Sequence, residues 1–305
     1  MYDLIVIGGG PAGLTAAIYG LQKRLNVLLV SKDLGGKTNY RLGLPWIEDY
    51  QVIRGLEIVN KFRSELEYLD FARHMEGVEQ VTLHEDPNGA HFVVHTKGGG
   101  GLQTRAVILA TGVRQQRLNV PGEREFIMRG LCYSALNYAP LFIDKQTAVV
   151  GDGDLALRSA AELATVAGHV TLIRSVKEIS DTPLYKKLAT STNVSILNGF
   201  QVVEIKGDQY ARSLIVKGLE GSEQEIVIDG TFIEMALIPN TQMVKGLVEM
   251  DDQGRIKVDN NKSTSVPGLF AAGDATLSHP AQVLIAIGEG AKAALSAYEY
   301  LLPIL

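Results

Sequence analysis

Apolar and polar residues follow one another along the chain in blocks that predict strands alternating with helices. Residues 4–7 form an apolar run, which predicts a buried parallel strand, and the alanine-rich residues from 12 to about 23 predict a helix directly after it. A second apolar run at residues 26–30 predicts the next strand. Strands that alternate with helices in this way indicate an α/β protein with a parallel sheet.

The same order of elements returns in the middle of the chain. Residues 147–150 predict a strand, residues 155–167 a helix and residues 169–173 another strand. The chain therefore contains two βαβ units, which amount to an internal repeat at the scale of a domain.

The other elements follow from hydrophobic period and from turn residues. Apolar residues spaced three and four apart predict a helix from residue 54 to about residue 75. The remaining predictions are strands at residues 78–83 and 91–95 around the hairpin signal Pro87-Asn88-Gly89, a strand at 105–110, short strands from 194 to 232, a strand and glycine turn over 266–274, and a closing helix at 282–302.

Glycines mark the junction between the first strand and the first helix. Gly8, Gly10 and Gly13 have the spacing Gly-x-Gly-x-x-Gly in the strand–turn–helix context that a dinucleotide-binding turn requires. Gly8 permits the tight turn, Gly10 lets a pyrophosphate approach the backbone, and Gly13 lets the helix pack closely on the strand. Because the helix N-terminus offers unpaired N–H groups to the phosphates, this first glycine turn (residues 8–13) predicts a bound dinucleotide.

A second glycine turn (residues 151–156) has the sequence Gly-Asp-Gly-Asp-Leu-Ala. Asp152 and Asp154 place carboxylates beside the expected phosphate position, where they repel a pyrophosphate unless they turn away. The ligand of the second glycine turn therefore stays open on sequence alone.

Composition and charge narrow the class of protein. The 305 residues suggest about two domains, and the net charge of −5 without any run of Lys and Arg argues against a nucleic-acid partner. No apolar stretch is long enough to cross a bilayer, and the first strand leaves no room for a signal peptide, so we expect a cytoplasmic protein without membrane contact. Cys132 is the single cysteine, which excludes an intrachain disulfide, and the six histidines show no metal-ligand spacing, so we predict no metal.

Further motifs occur in a fixed order along the chain. They are the first glycine turn, Gly35-Gly36, Ala110-Thr111-Gly112, Gly151-x-Gly153-x-x-Ala156, Ile238-Pro239-Asn240-Thr241, Ala271-Ala272-Gly273-Asp274, Gln282 and Gly288-Glu289-Gly290. Together they resemble the low-molecular-weight thioredoxin reductases, which are FAD flavoproteins with two dinucleotide-binding domains. The resemblance covers nearly the whole chain. It implies an α/β fold of two Rossmann-like three-layer domains, a FAD-binding domain from 1–114 and 243–305 with a pyridine-nucleotide-type domain, 115–242, inserted in it, and a homodimer.

The resemblance also implies which residues bind FAD. They are Gly8, Gly10, Pro11, Ala12, Gly13, Ser31, Lys32, Gly35, Gly36, Lys37, Trp46, Ala110, Thr111, Gly112, Gly273, Asp274, Gln282 and Val283. Two of them depart from the family pattern. Lys37 stands where the family usually has Gln, and Ser31 stands where an acid normally holds the adenine ribose, so that Asp33 is a second candidate for that contact.

The redox Cys-x-x-Cys of thioredoxin reductases is missing from the matching stretch. Ser134 and Asn137 replace the two cysteines, and neither side chain can exchange electrons with a disulfide, because that exchange needs an attacking and a resolving thiol. Cys132 lies two residues before Ser134, and we interpret it as a buried cysteine beside the flavin rather than a reactive thiol. We therefore assign no catalytic residue and do not expect thioredoxin reduction by the family's dithiol mechanism.

Recognition of a pyridine nucleotide is also incomplete. The basic cluster that binds the 2′-phosphate in the family is reduced here to Arg174 and Lys177, and no acid of the NAD type ends the strand, so NADPH is not expected. Three explanations remain for the inserted domain. It is a scaffold with an empty site, it binds another nucleotide such as a second FAD, or electrons come from a protein donor, as in ferredoxin-linked relatives. The candidate residues for a second nucleotide are Gly151, Gly153, Asp154 and Arg174.

The prediction is thus a FAD-dependent oxidoreductase that passes electrons through the flavin from a ferredoxin- or flavodoxin-type donor. Arg114, Arg117, Arg124 and Arg129 are candidate contacts for such an acidic donor. One alternative is a ferredoxin–NADP reductase-like enzyme, against which we count the weak basic cluster and the lack of a C-terminal extension after residue 305. A second alternative is a non-catalytic redox sensor that uses the flavin.

Three further side chains are weaker candidates. His279 is a potential proton donor near the flavin, and Tyr133 and Tyr138, like Trp46, are candidates for stacking on the isoalloxazine.

Overall fold

Two units make up the chain in its structure, a computed structural model that describes residues 1–50, 52–86, 89–278 and 280–305. Unit 1 comprises Met1–Asn39, Ile53–Arg114 and Ile238–Leu305, and unit 2 comprises Tyr40–Val52 and Gln115–Leu237. Residues 40–52, which the sequence analysis placed in the first domain, group with unit 2. The reason is packing, since Leu42 and Leu44 lie in the same hydrophobic core as Phe142.

The regular elements are numbered in chain order. The strands are β1 (Tyr2–Ile7), β2 (Val27–Val30), β3 (Arg73–His74), β4 (Val78–Asp86), β5 (Gly89–Thr96), β6 (Gly101–Leu109), β7 (Val113–Gln115), β8 (Leu131–Cys132), β9 (Gln146–Val150), β10 (His169–Arg174), β11 (Val194–Asn198), β12 (Phe200–Gly207), β13 (Ala211–Gly218), β14 (Glu223–Val227), β15 (Gly230–Ile233), β16 (Leu237–Pro239) and β17 (Leu269–Ala271). The α-helices are α1 (Pro11–Gln22), α2 (Leu56–Tyr68), α3 (Glu123–Phe126), α4 (Ala135–Tyr138), α5 (Asp154–Ala164), α6 (Pro183–Ala189) and α7 (Val283–Leu301).

Unit 1 is built on a parallel sheet with β1 near its centre. β1 pairs in parallel with β2 and β6, β2 with β3, and β6 with β17, while the β4–β5 hairpin continues the sheet in antiparallel fashion beyond β6. Side chains of β1 alternate between two cores, with Leu4 on one face and Ile5 on the other. Both faces are thus covered, which is why the strand is an unbroken apolar run.

Helices α1 and α7 of unit 1 approach each other very closely. A Cβ atom on Gly290 of α7 would lie 2.1 Å from the carbonyl oxygen of Ala12 in α1. Only glycine fits at that position, so the contact brings the end of α7 that follows Gln282 near the first glycine turn.

Unit 2 repeats the architecture on a smaller scale. Its parallel sheet has the order β11-β10-β9-β15-β8, and an antiparallel sheet has the order β12-β13-β14. Helix α5 follows β9 through the second glycine turn, as the sequence predicts. The predicted α/β class, with two Rossmann-like units, is confirmed.

Two local predictions had different outcomes. The helix predicted from residue 54 to about 75 was too long, because α2 ends at Tyr68 and a 3₁₀ turn then leads into β3. β3 pairs with Leu29 and Val30 of β2, so the backbone there takes sheet hydrogen bonds instead of helical ones. The hairpin of β4 and β5 is confirmed, with Asp86 paired to Gly89, although Pro87 and Asn88 lie outside the described residues.

Candidate active site

The first glycine turn has the geometry that its spacing predicts. Gly8 has a φ of +113°, and a Cβ atom there would lie 2.3 Å from the carbonyl oxygen of Ala110. A Cβ atom on Gly13 would lie 1.7 Å from the carbonyl oxygen of Gly8. Both positions therefore require glycine, one for its backbone conformation and both for close approach.

Gly10 differs from its neighbours, because it faces open space. No atom lies within 4 Å of the position that its Cβ would take, and Gly10 is the N-cap of α1, which has no side-chain cap. The first turn of α1 thus presents backbone N–H groups and the positive end of the helix dipole to an open volume. This arrangement suits a pyrophosphate group.

Polar groups in the loop after β2 form hydrogen bonds with one another. Ser31 Oγ donates a hydrogen bond to the carbonyl oxygen of Asp33 at 2.7 Å, and Asp33 Oδ1 accepts the N–H of Gly36 at 2.9 Å. Gly35 N–H donates to the carbonyl oxygen of Gly9 at 2.7 Å, which ties this loop to the first glycine turn. Asp33 therefore holds the loop through Oδ1, while ribose binding by Ser31 or Asp33 stays a prediction, because both side chains keep further acceptor capacity. Lys32 beside them is exposed.

The Ala110-Thr111-Gly112 turn follows β6 directly beside the first glycine turn. Thr111 Oγ1 is buried, and it has no hydrogen-bond partner in the part of the chain that the structure describes. Asn240 anchors this turn, because its side-chain amide donates to the carbonyl oxygen of Thr111 at 3.0 Å and its backbone N–H donates to that of Gly112 at 3.0 Å. Sequence reasoning recognised Asn240 only as part of a motif and missed this role.

The turn that carries Gly273 and Asp274 lies between β17 and α7. Asp274 Oδ2 is 2.7 Å from Lys37 Nζ, and Glu289 Oε2 of α7 accepts the N–H of Gly273 at 2.7 Å. Glu289 also pairs with Lys262 at 2.7 Å, and both side chains are mostly buried. Sequence reasoning did not identify Glu289 or Lys262. Gln282 and Val283 lie where predicted, at the N-cap and the first position of α7.

These residues fit FAD. Three features surround one stretch of unit 1. They are the buried hydroxyl of Thr111, which has no partner among the described residues, the uncapped N-terminus of α1 and the open position at Gly10. Each offers a hydrogen bond or space to a bound dinucleotide, and an unsatisfied buried polar atom calls for a ligand. The loops that carry Gly36, Ala110 and Gly273 thus lie against the first glycine turn and the start of α1.

Trp46 belongs to unit 2, and its contact with the flavin stays a prediction. Its indole N–H donates to the carbonyl oxygen of Leu141 at 3.0 Å, its ring packs edge-to-face on Phe142, and Lys145 Nζ lies 4.6 Å from its centroid. The side chain thus has a packing role within unit 2. Tyr138, a stacking candidate, is buried in the same core and donates to the carbonyl oxygen of Tyr40 at 3.1 Å.

The stretch that replaces the redox cysteines contains the short helix α4 and its N-cap. Asn137 Nδ2 lies 3.3 Å from Ser134 Oγ, so the two side chains are in contact. Cys132 is 1% exposed, and burial raises the pKa of its thiol to about 12. The thiol is therefore protonated at physiological pH, which makes it a poor nucleophile.

Two buried carboxylates flank this stretch. Glu234, which follows β15, accepts the N–H of Ala135 and the hydroxyl of Ser159, each at 2.9 Å. Glu123 accepts the backbone N–H groups of Leu118 and Asn119. The hydroxyl of Tyr133 also donates to Glu123, and burial raises the pKa of Tyr133.

The second glycine turn is open at one position and closed at another. A Cβ atom on Gly153 would meet no atom within 4 Å, whereas one on Gly151 would lie 2.3 Å from the carbonyl oxygen of Glu234. Asp154 is exposed at the first position of α5, so its carboxylate stays beside the helix N-terminus.

Asp152 turns away from the helix and bonds to the loop after β10. Its Oδ1 accepts the N–H of Ser175 at 2.7 Å and that of Val176 at 3.4 Å, and its Oδ2 accepts the hydroxyl of Ser175 at 2.5 Å. In a dinucleotide fold, the residues that end this second strand recognise the ribose. The Asp152 carboxylate therefore occupies the N–H and hydroxyl groups of this loop that would otherwise be available to a nucleotide.

Arg174 was predicted to face the second nucleotide, but the structure places it in the interior. Its side chain is 5% exposed, its Nη1 donates to Asn198 at 2.9 Å and to the carbonyl oxygen of Glu178 at 3.0 Å, and it stacks over Tyr185. The guanidinium thus links the end of β11 to the loop after β10, because a buried arginine must place its donors on nearby acceptors.

Metal-ligand clusters and membrane spans are both missing from the described ranges. Over residues 1–50, 52–86, 89–278 and 280–305, no group of three or more His, Cys, Asp and Glu side chains could hold a metal ion. Within the same ranges, none of the helices combines the length and apolar character needed to cross a membrane. The candidate proton donor His279 lies outside the described residues.

Comparison with protein families matches residues 2–290 to the family model described as pyridine nucleotide-disulphide oxidoreductase. The chain belongs to this family. It is therefore an oxidoreductase, and the family implies FAD as its cofactor. Relatives include a component of the alkyl hydroperoxide reductase of Staphylococcus aureus, which is 32% identical over 303 residues, and a Bacillus subtilis protein named NADH dehydrogenase, which is 34% identical over 307 residues. In both cases the match covers 99% of this chain but 59% of the relative, so the chain spans under two thirds of their length.

Solved structures of family members resemble the whole chain. The thioredoxin reductase of Streptococcus pyogenes is 30% identical, with a TM-score of 0.87 and coverage of 100% of this chain and 99% of that one. The thioredoxin reductase of Giardia duodenalis is 26% identical, with a TM-score of 0.85 and 99% coverage of both chains. The resemblance to thioredoxin reductases that the motifs predict is thus confirmed at the level of family and fold.

Proposed function

We propose that this oxidoreductase passes electrons through FAD without a redox disulfide of its own chain and takes them from a donor other than NADPH, of the ferredoxin or flavodoxin type. The bond from Asp152 to the N–H and hydroxyl groups of Ser175 is the observation that carries this proposal. It fills the donors with which a pyridine nucleotide would be recognised, while Arg174 at the end of β10 is buried.

The lack of a second thiol supports the other half of the proposal. With Cys132 as the single cysteine, this chain cannot form or reduce an internal disulfide. Ser134 and Asn137, in contact at 3.3 Å, occupy the positions of the family's dithiol. Electrons that reach the flavin therefore leave it by another route than thiol exchange within this chain.

A protein donor needs a complementary surface. Arg117 and Arg124 of unit 2 are exposed, and positive side chains favour an encounter with an acidic electron-transfer protein even though the whole chain is negative. The double charge reversal R117E/R124E should slow flavin reduction by reduced ferredoxin and weaken its dependence on salt. The control K187E/K206E makes the same charge change at exposed lysines of unit 2 and should leave the rate unchanged.

Nucleotide binding tests the proposal directly. Calorimetric titration of the full chain with NADPH should give no saturable binding in the range of roughly 1 μM to 1 mM that enzymes use. The variant D152G/S175R/V176R frees the loop and restores two arginines, so it should bind NADPH. S175R/V176R, which keeps Asp152, is the matched control and should bind more weakly. Tight binding of NADPH by the wild type would instead favour a ferredoxin–NADP reductase-like enzyme.

A second nucleotide in unit 2 is the other candidate. Open space at Gly153 favours it, because no atom lies within 4 Å of the position that its Cβ would take. Flavin released by denaturation and counted per chain distinguishes the two. One FAD per chain fits the proposal, whereas two would assign the second glycine turn to another flavin nucleotide.

A further inference from the structure

A mostly buried ion pair joins α7 to the loop before β17. Lys262 Nζ lies 2.7 Å from Glu289 Oε1, and the two side chains are 15% and 11% exposed. The hydroxyl of Ser278 also donates to Glu289 Oε1. These two partners hold the carboxylate in one orientation, since the burial of a charge costs free energy unless the charge is paired and hydrogen-bonded.

The other oxygen of this carboxylate contacts the turn that precedes α7. Glu289 Oε2 accepts the backbone N–H of Gly273 at 2.7 Å. Gly273 has a φ of +75°, and its carbonyl oxygen accepts the hydroxyl of Thr276 at 2.9 Å. Both polar groups of the Gly273 backbone are thus bonded, which fixes the turn that carries Asp274.

Glu289 lies where this turn meets the start of α1. A Cβ atom on Gly273 would be 3.2 Å from the Cβ of Ala12, and one on Gly290, directly after Glu289, would be 2.1 Å from the carbonyl oxygen of Ala12. Ala12 belongs to the first turn of α1, whose open N-terminus suits a pyrophosphate. The bond from Glu289 therefore sets the backbone of a predicted FAD turn at the place where α1 and α7 approach each other.

The backbone of Lys262 indicates that its side chain matters at this position. Lys262 has a φ of +65°, a left-handed conformation that residues other than glycine seldom adopt. Its carbonyl oxygen accepts the N–H of Ala271 in β17 at 3.0 Å, which places the residue beside the same turn. Glycine would relieve the backbone but would remove the cation that compensates Glu289, so the charge is what this position supplies.

We propose that Glu289, neutralised by Lys262, is a positioning residue for FAD. Its carboxylate holds the N–H of Gly273, and this bond keeps the turn in the conformation that offers Asp274, a predicted FAD ligand, to the dinucleotide. Glu289 acts through the backbone and needs no contact with FAD. The inference rests on the FAD-binding part of the proposed function and is independent of the electron donor.

Two double variants test this inference by FAD binding. K262M/E289Q and K262M/E289L both remove the ion pair, but only glutamine keeps a side-chain oxygen that can accept the N–H of Gly273. K262M/E289Q should bind FAD like the wild type, whereas K262M/E289L should bind it on the order of tenfold more weakly. Flavin fluorescence measures both affinities when the full chain, stripped of FAD, is titrated with FAD.

Amide exchange separates this role from a general loss of stability. In the FAD-free proteins, the segment around Gly273 should exchange hydrogen for deuterium faster in K262M/E289L than in K262M/E289Q, while β1 should be equally protected in both. The control K292M/E299L removes an exposed cation and an exposed anion from α7. It should bind FAD like the wild type.

Equal FAD affinities of K262M/E289Q and K262M/E289L would overturn the proposal, because the acceptor for Gly273 would then have no effect on the cofactor. Faster exchange of β1 in K262M/E289L would overturn it as well, since the weaker binding would then follow from general destabilisation. If the wild type itself bound no FAD, the FAD assignment would be refuted, and this inference would fall with it.

Discussion

The backbone N–H of Ala135 donates a hydrogen bond to Glu234 Oε1 at 2.9 Å. Glu234 is 2% exposed, and this bond fixes the start of α4, the helix that stands where the family's redox cysteines are expected. A side chain directly after β15 therefore fixes the backbone of a residue that lies 99 positions earlier in the chain.

Removal of this carboxylate should destabilise unit 2. Glu234→Ala leaves the N–H of Ala135 and the hydroxyl of Ser159 without their acceptor, and an unsatisfied buried donor costs about 1–3 kcal/mol. Urea denaturation followed by circular dichroism measures the loss. Glu234→Gln keeps an amide oxygen and should lose less. Equal stability of Glu234→Ala and the wild type would show that the bond contributes nothing.

Two glycines of the first glycine turn should respond differently to alanine. Gly13→Ala forces a Cβ atom to 1.7 Å from the oxygen of Gly8, so it should lower the thermal midpoint of the FAD-free protein. Gly10→Ala meets open space, so it should leave that midpoint unchanged yet weaken FAD binding, because the methyl group enters the phosphate position.

Gly288→Ala on α7 is the control for both. Its Cβ also meets open space, and alanine is the better helix former by about 1 kcal/mol, so the midpoint should stay or rise. Unchanged FAD affinity in Gly10→Ala would contradict the assignment of the phosphates to this turn.

The positions of the missing cysteines should still accept a disulfide. The contact of Asn137 Nδ2 with Ser134 Oγ at 3.3 Å means that S134C/N137C brings two sulfurs together across one turn of α4. Thiol counting on the denatured protein should find one thiol, Cys132, after oxidation and three after reduction. Three thiols under both conditions would show that the stretch holds its side chains apart in solution.

Cys132 predicts how stability depends on alkaline pH. Burial raises the pKa of its thiol to about 12, whereas a thiol in the unfolded chain titrates near about 8.5. The folded state therefore holds this proton more tightly, and its stabilising effect is complete below about pH 8.5 and is lost progressively as the pH rises toward 12. Between pH 8.5 and 10 the wild type should lose roughly 1–2 kcal/mol more than Cys132→Ala. Parallel pH profiles of the two proteins would refute the prediction.

Features that depend on neighbours in the chain were predictable from the sequence. The first glycine turn, its strand and its helix are local, since Gly8, Gly10 and Gly13 lie within one turn of structure. One prediction failed where distant residues decide. The helix from residue 54 ended early because β3 pairs with β2. The packing of Trp46 on Phe142 likewise depends on residues far apart in the chain.

The parts of the site that were missed are long-range contacts of polar residues. Asn240 bonds to Thr111, which is 129 positions away in the chain. Glu289 of α7 accepts the N–H of Gly273, a contact that the hydrophobic period of the helix does not indicate. Arg174 is the opposite case, a residue to which the sequence assigned a ligand that it does not need. Its place at a strand end suggested that it binds a phosphate, but in the fold its guanidinium donates to Asn198 and to the carbonyl oxygen of Glu178.

The source of the electrons is the central claim, and anaerobic rapid mixing of the oxidised full chain with each donor tests it most directly. Reduced ferredoxin or flavodoxin should bleach the visible absorbance of the flavin within the time of a typical enzymatic turnover, and NADPH should bleach it no faster than buffer does. Fast bleaching by NADPH, with no response to the reduced protein donors, would contradict the account.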